Sequence, residues 1–236
     1  NINMLKNDTS WDKVSKWYGS IVGEKGHFYH QSLIIPQTLK LLGIKPGDRL
    51  IDVACGQGVL SRRLPESVKY VGLDASKRLI DEAKSLDNNK AHRYLVADAT
   101  KSFGLRETFN KAAIILALQN IKEPEKTIQH LSEVMEKNGE LVIVLNHPCF
   151  RIPRQSSWEE DQSNKMQYRR VNRYMTPLEI PINAHPGEEN SPVTWSFHHP
   201  IEDYSNYLFG NGFLIKKIEE WTSEKKSEGK AAKMEN

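Results

Sequence analysis

Short apolar runs alternate with amphipathic stretches between Arg49 and Asn146. This alternation is typical of βα units, whose strands pair in parallel and carry helices on both faces of the sheet. Aliphatic and β-branched residues dominate the runs, as expected for strands buried on both faces. The predicted fold is therefore α/β, with a Rossmann-like, doubly wound and mostly parallel sheet. The predicted strands are Leu50–Ala54, Tyr70–Leu73, His92–Val96, Ala112–Leu118 and Leu141–Leu145.

Helices are predicted around and between these strands. In Lys126–Lys137 the apolar residues recur at helical spacing, and Asn138 with Gly139 provides a stop signal. The other predicted helices are Trp11–Val22, Tyr29–Leu42, Val59–Leu64, Lys77–Leu86 and Ile201–Phe209, and one more strand is predicted at Phe213–Glu219.

The chain is expected to divide into five parts. Residues 1–48 hold the N-terminal helices, on the cap or substrate side, and residues 49–146 form the Rossmann-like core. Residues 147–200 carry most of the prolines and no sustained period, which indicates an insertion or lid after the fifth strand. Residues 201–221 return to the core. Residues 222–236, rich in Lys, Glu and Ser, are expected to be a mobile or truncated tail.

Composition narrows the class of protein. The net charge is +3, from 33 basic and 30 acidic residues, so no strong overall field favours nucleic acid or a membrane surface. Cys55 and Cys149 are too far apart for a metal-ligand motif or a disulfide framework. No apolar run approaches the roughly 20 residues that span a bilayer. We expect a cytoplasmic protein with no metal and no membrane partner, and the oligomeric state stays open.

The first strand is followed by a turn that contains Gly56 and Gly58, and a helix is predicted directly after it. Glycine lets the backbone turn sharply and approach a ligand closely. The N–H groups at the start of a helix then face that ligand. Dinucleotide, flavin and S-adenosylmethionine folds all share such a turn.

Acidic residues close the next two strands. The carboxylate of Asp74 can accept hydrogen bonds from both hydroxyls of a ribose. Asp98 could receive an adenine amino group, or it could cap a helix instead. The turn and the two acids together outline a site for an adenosine at the carboxyl edge of the sheet.

On these motifs the chain resembles the class I S-adenosylmethionine-dependent methyltransferases, in the methyltransferase type 11 and ubiquinone-biosynthesis-like group. The segment from Val134 to Leu141 also resembles the turn that precedes the fifth strand in that family, with Asn138 in place of a glycine. The resemblance implies the class I methyltransferase fold and an enzyme that uses S-adenosylmethionine and releases S-adenosylhomocysteine.

The resemblance also implies residue roles. Asp52 and the turn from Gly56 to Gly58 would hold the methionine end, Asp74 the ribose, and Asp98 with Ala99 the adenine. The full cofactor-binding set is Asp52, Ala54, Gly56, Gln57, Gly58, Asp74, Ala75, Asp98, Ala99 and Leu116.

Two features depart from the family pattern. Ala54 stands where glycine is commoner. Such folds also end in an antiparallel hairpin, and nothing apolar after Trp221 supplies its last strand, so either the chain is truncated or the sheet lacks one strand.

Candidate acceptor residues lie in later loops. Gln119 and Asn120 follow the fourth strand and could orient a substrate or form a plain polar turn. His147 is the candidate catalytic base, because a neutral imidazole can take a proton from a hydroxyl; packing or a surface hydrogen bond is the alternative. Tyr18 could close over the site, or it could belong to the core.

The insertion is basic: Arg151–Arg173 holds six basic and three acidic residues, with aromatic residues interleaved. Guanidinium groups beside aromatic faces suit a carboxylate- or phosphate-bearing acceptor or an RNA base, and a solvated face is the alternative. Arg151 and Arg154 are therefore candidate acceptor-binding residues.

Three functions follow from these observations. The favoured one is in-line methyl transfer to a small molecule, because the charge is nearly balanced and the insertion could enclose a modest ligand. A methyltransferase that acts on RNA or protein is the second. The third is an NAD-dependent oxidoreductase or a non-catalytic nucleotide-binding module, although the turn lacks the third small residue of the dinucleotide fingerprint.

Overall fold

Five parallel strands form the central sheet, as the sequence predicts. The computed structural model describes residues 29–183 and 193–222, so the predicted helix Trp11–Val22, Tyr18 and residues 223–236 lie outside the described part. The strands are β1 Arg49–Val53, β2 Lys69–Asp74, β3 Arg93–Val96, β4 Phe109–Ile115 and β5 Met135–Val144. Their order in the sheet is β3-β2-β1-β4-β5, and all neighbours are parallel.

Helices cover both faces of this sheet. Side chains alternate between the faces along a strand, and in β1 Leu50 and Ile51, both fully buried, belong to two different apolar clusters. Helices α1 (Ile35–Leu42) and α2 (Lys77–Leu86) pack on the Leu50 side. Helices α3 (Pro124–Ser132) and α4 (Ile201–Gly210) pack on the other side. The predicted doubly wound, Rossmann-like fold is confirmed.

Local capping explains why one helix matches its predicted bounds. Helix α2 begins at Lys77 because Ser76 is its N-cap and accepts a hydrogen bond from the Leu79 N–H at 3.2 Å.

Three predicted elements are wrong. Val59–Leu64 contains only a short 3-10 helix, Ser61–Arg63. The predicted helix Lys126–Lys137 ends at Ser132, because Met135 already pairs with Phe109 and β5 begins there. Asn138, with φ of 64°, lies inside β5, and a register shift between Phe109 and Lys111 accommodates it.

The predicted strand Phe213–Glu219 is also absent, because this segment makes no ladder with the sheet. Its apolar side chains are largely exposed, Leu214 to 82% and Ile218 to 66%.

The insertion is more regular than its sequence predicts. It forms two antiparallel hairpins, β6 (Ser156–Asp161) with β7 (Met166–Val171), and β8 (Leu178–Asn183) with β9 (Val193–His198). Both hairpins are two-stranded and partly exposed, so their strands carry polar residues and even a proline. This composition hides the alternation that identifies a buried strand.

The second hairpin lies close to the end of β4. Strand β9 contacts the 3-10 turn Leu118–Asn120, and the ammonium group of Lys122 lies 2.8 Å from the carboxylate of Glu179 in β8. The insertion is therefore attached next to the carboxyl edge of the sheet. Within the described ranges, every helix is too short or too polar to cross a bilayer.

Candidate functional site

The carboxylate of Asp74, at the end of β2, connects neighbouring strand ends. Its Oδ2 accepts a hydrogen bond from the Gly56 N–H at 3.0 Å, and its Oδ1 accepts one from the Ser76 N–H at 2.8 Å. Backbone bonds extend the connection: the Cys55 N–H donates to the Leu73 carbonyl at 3.0 Å, and the Ala97 N–H donates to the Asp74 carbonyl at 2.9 Å. The ends of β1, β2 and β3 thus meet at Asp74, through its carboxylate or its backbone carbonyl.

The glycine turn after β1 is built from left-handed backbone. Ala54, Gly56 and Gly58 have φ of 59°, 56° and 71°. A Cβ on Gly58 would lie 3.0 Å from the Tyr94 hydroxyl and 3.1 Å from Ser61 Oγ, so a side chain there would be crowded as well as strained by the positive φ. A Cβ on Gly56 would meet nothing within 4 Å, so the backbone of Gly56 is open to the approach of a ligand.

A second acid lies beneath this turn. Asp52 is 2% exposed, and its Oδ2 accepts a hydrogen bond from the Tyr70 hydroxyl at 2.9 Å. Burial raises the pKa of Asp52 from 3.8 to about 7; the Tyr70 hydrogen bond opposes this shift, and the nearby charge of Asp74 adds to it. Burial also raises the pKa of the Cys55 thiol well above its usual range, which does not suit a nucleophile.

Asp98 lies in a turn after β3 and caps no helix. Its Oδ1 accepts hydrogen bonds from the N–H and the hydroxyl of Thr100, at 2.9 and 2.7 Å, and its Oδ2 lies 3.0 Å from the Lys101 ammonium. Burial raises the pKa of Asp98, but these bonds outweigh it and hold the pKa below the usual range.

Other expected cofactor residues differ in exposure. Ala99 is buried in the core and Ala75 is exposed. Gln57 is only 1% exposed.

The end of β4 brings the acceptor candidates Gln119 and Asn120 together. Leu116, with φ of 52°, donates its N–H to the Val144 carbonyl at 2.8 Å. Its own carbonyl accepts from Gln119 Nε2 at 2.8 Å and from Asn120 Nδ2 at 3.3 Å. Gln119 Oε1 is buried and has no hydrogen-bond partner in the part of the chain that is described. A buried acceptor of this kind suits a ligand that brings a donor.

His147 has both ring nitrogens engaged. Nδ1 accepts hydrogen bonds from the N–H groups of Cys149 and Phe150, at 3.1 and 3.2 Å, and Nε2 lies 2.5 Å from Glu220 Oε1. The neutral ring therefore carries its proton on Nε2. A role as general base requires Nδ1 to be released, so it stays a prediction.

The remaining predicted acceptor residues are not joined to this edge. Arg151 and Arg154 are exposed, and among the described residues no side-chain hydrogen bond or ion pair connects them to the strand ends. Residues 29–183 and 193–222 also hold no group of three His, Cys, Asp or Glu side chains that a metal ion could bind.

Sequence reasoning missed Tyr70, which supports Asp52. Tyr70 and Gly72 lie on the same face of β2, and Gly72 is the register partner of Asp52. A Cβ on Gly72 would lie 2.7 Å from the Tyr70 hydroxyl, so the glycine makes room for the ring. A tyrosine two residues before a strand glycine is the signal that could have identified this contact.

Comparison with known proteins agrees with this geometry. Residues 44–198 match a family described as methyltransferase domain. The demethylmenaquinone methyltransferase of Renibacterium salmoninarum is 29% identical over 111 residues, which are 46% of this chain and 46% of that protein. The ubiquinone/menaquinone biosynthesis C-methyltransferase UbiE of Stutzerimonas stutzeri is 29% identical over 115 residues, which are 45% of each chain.

A solved structure supports the fold. The S-adenosylmethionine-dependent methyltransferase of Mesorhizobium loti superimposes with a TM-score of 0.68 at 22% identity, over 85% of this chain and 87% of that one. The chain spans about half the length of the curated relatives it matches.

The buried Asp52 makes stability depend on pH. Between 3.8 and about 7 the folded protein holds a proton on Asp52 that the unfolded chain releases, so the free energy of unfolding falls as pH rises across that window. In Asp52→Asn the free energy of unfolding does not decrease across this window, because the titrating group is gone. Above pH 7 the variant is therefore more stable than the wild type by at most roughly 4 kcal/mol.

Urea denaturation at pH 4 to 8 measures the difference in the free energy of unfolding between Asp52→Asn and the wild type. Asp81→Asn, on the exposed face of α2, removes a carboxylate without removing a buried group and serves as the control. A constant difference between Asp52→Asn and the wild type across this range would contradict the assignment.

Proposed function

The chain belongs to the class I S-adenosylmethionine-dependent methyltransferases, and we propose that it transfers a methyl group to a small molecule with a ring hydroxyl, of the quinol type. The observation that carries the proposal is the position of the Asp74 carboxylate, directly beside the open backbone of Gly56. The relatives named for quinone biosynthesis suggest the class of acceptor.

The residues present fit the cofactor. A carboxylate can accept one hydrogen bond at each oxygen from two vicinal hydroxyls, which suits Asp74 to a ribose. Asp74 places negative charge beside the turn, and Asp52 adds to this charge above about pH 7, which suits a ligand with an ammonium and a sulfonium group. Asp98, with its pKa held low, is a charged acceptor for the adenine amino group.

S-adenosylmethionine supplies an activated methyl group on its sulfonium. The protein's part in the reaction is then alignment: the reacting atoms need an in-line approach at about 3–3.5 Å. The Leu116 carbonyl fixes the side chains of Gln119 and Asn120 at the end of β4, where they orient the acceptor. The β8–β9 hairpin, held by Lys122 and Glu179, excludes water from that side.

Proton removal from the acceptor hydroxyl falls to His147 in this proposal. Its Nδ1 must first leave the N–H groups of Cys149 and Phe150, since a ring that accepts two hydrogen bonds there has no lone pair for a substrate proton.

A small molecule is favoured over RNA by the arginines of the first hairpin. The Arg169 guanidinium lies 5.4 Å from the centre of the Trp158 ring and donates to the Phe150 carbonyl. Arg170 donates to the Ser157 hydroxyl at 2.9 Å and lies 3.4 Å from the Glu159 carboxylate. Two of the cations that would bind phosphates are thus engaged by other groups of the insertion.

Calorimetric titration with S-adenosylhomocysteine tests the cofactor site. Asp74→Ala removes a charged acceptor from the ribose and from Gly56, and hydrogen bonds to charged groups are worth more than neutral ones, so affinity falls at least roughly tenfold. Asp81→Ala, with the same change in net charge, keeps the wild-type affinity. Equal affinity in Asp74→Ala and the wild type would refute the site, and a wild-type protein that does not bind the ligand would refute the proposed activity.

Methyl transfer to a short-chain 1,4-naphthoquinol tests the acceptor. Gln119→Leu removes Oε1 together with the Nε2 that bonds the Leu116 carbonyl, so kcat/KM for the quinol falls roughly tenfold while the KM for S-adenosylmethionine stays unchanged. Gln129→Leu, an exposed position on α3, is the matched control and behaves as the wild type. The methyl group of S-adenosylmethionine carries an isotope label in this assay. Transfer of the labelled methyl group to RNA or protein, and not to the quinol, would contradict the proposed acceptor class.

A further inference from the structure

A chain of buried hydrogen bonds runs from the end of α2 to the glycine turn. Asp87 Oδ2 accepts from His92 Nδ1 at 2.8 Å and from the Tyr94 hydroxyl. The Tyr94 oxygen lies 2.6 Å from Ser61 Oγ, and Ser61 Oγ donates to the Gly58 carbonyl at 2.8 Å. Four residues take part in these hydrogen bonds through their side chains, and each is at most 8% exposed: Asp87, His92, Tyr94 and Ser61.

The number of protons on these side chains determines which group donates in each hydrogen bond. Burial raises the pKa of Asp87, but the hydrogen bonds from Tyr94 and His92 outweigh it and hold the pKa below its usual range. Asp87 is therefore ionised and accepts the one hydrogen bond that the Tyr94 hydroxyl can donate. The Tyr94 oxygen then acts as an acceptor, and Ser61 shares its single proton between Tyr94 and the Gly58 carbonyl.

The Gly58 carbonyl needs such a partner because of its backbone. Glycine populates both signs of φ about equally, so a glycine turn does not fix its own carbonyl direction. Gly58 has φ of 71°, and the Tyr94 and Ser61 oxygens lie 3.0 and 3.1 Å from where its Cβ would be. Those two side chains thus form the wall behind the turn.

We propose that Ser61 is a positioning residue that fixes the Gly58 carbonyl, and with it the face that the turn presents to the homocysteine end of the cofactor. Asp87 and Tyr94 align the Ser61 hydroxyl. The role is indirect, because Ser61 is 1% exposed and acts on the ligand through Gly58 alone. The inference rests on the proposed function for the identity of the ligand.

Calorimetry with two ligands separates positioning from a general structural effect. In Ser61→Ala the affinity for S-adenosylhomocysteine falls roughly threefold to tenfold, the net worth of one buried hydrogen bond. The affinity for adenosine, which Asp74 and Asp98 hold in the proposed site, changes less than roughly twofold. Tyr94→Phe leaves the Ser61 proton to the Gly58 carbonyl but removes the oxygen that holds the Ser61 side chain in place, so the same selective loss follows to a smaller degree.

Tyr204→Phe is the matched control, because it removes a buried tyrosine hydroxyl on the opposite face of the sheet and leaves both affinities unchanged. If Ser61→Ala does not fold, Tyr94→Phe carries the same comparison.

Three outcomes would overturn the inference. Unchanged affinity for S-adenosylhomocysteine in Ser61→Ala would overturn the inference but not the proposed function. An equal loss of affinity for both ligands would do the same, because it indicates a merely structural role. A wild-type protein that binds neither ligand would overturn the proposed function and the inference together.

Discussion

The Asp74 carboxylate is the interaction on which the carboxyl edge of the sheet depends. Loops that follow parallel strands leave the regular ladder, so their N–H groups need other acceptors. Asp74 supplies acceptors to two such loops, through the Gly56 N–H at 3.0 Å and the Ser76 N–H at 2.8 Å. Ser76 in turn caps α2. One side chain thus fixes both the glycine turn and the start of the next helix.

The carboxyl edge of the sheet also contains features that are unfavourable for stability: positive φ at non-glycine residues and a buried acid. Ala54 and Leu116 are non-glycine residues with positive φ, at the ends of the two central strands β1 and β4. Asp52 is an acid buried beneath them. Such features carry a cost in stability and persist where the surrounding structure determines them, commonly at functional sites. Here Tyr70, Ser61 and Asp74 are the surroundings that hold the backbone in place, which is consistent with the proposed binding of a rigidly oriented nucleoside.

The sequence predicts the central fold well, because buried parallel strands are continuous aliphatic runs and α2 has a clear cap at Ser76. It fails where tertiary pairing overrides local pattern: Met135 follows a helical period but pairs with Phe109 in β5. The hairpins of the insertion escape prediction because two-stranded, exposed strands need no apolar alternation. For the site, the strand-end acids are visible in the sequence. The hydrogen bond between Tyr94 and Ser61 is not visible in the sequence, since it joins residues 33 positions apart.

The most direct measurement is a crystal structure of the complete protein with S-adenosylhomocysteine bound. We expect both ribose hydroxyls to lie within hydrogen-bonding distance of Asp74, while Asp74 Oδ2 still accepts a hydrogen bond from the Gly56 N–H. A nucleoside bound elsewhere, or one that displaces the Gly56 N–H from Asp74, would contradict the claim that this carboxylate organises the turn and the ligand at once.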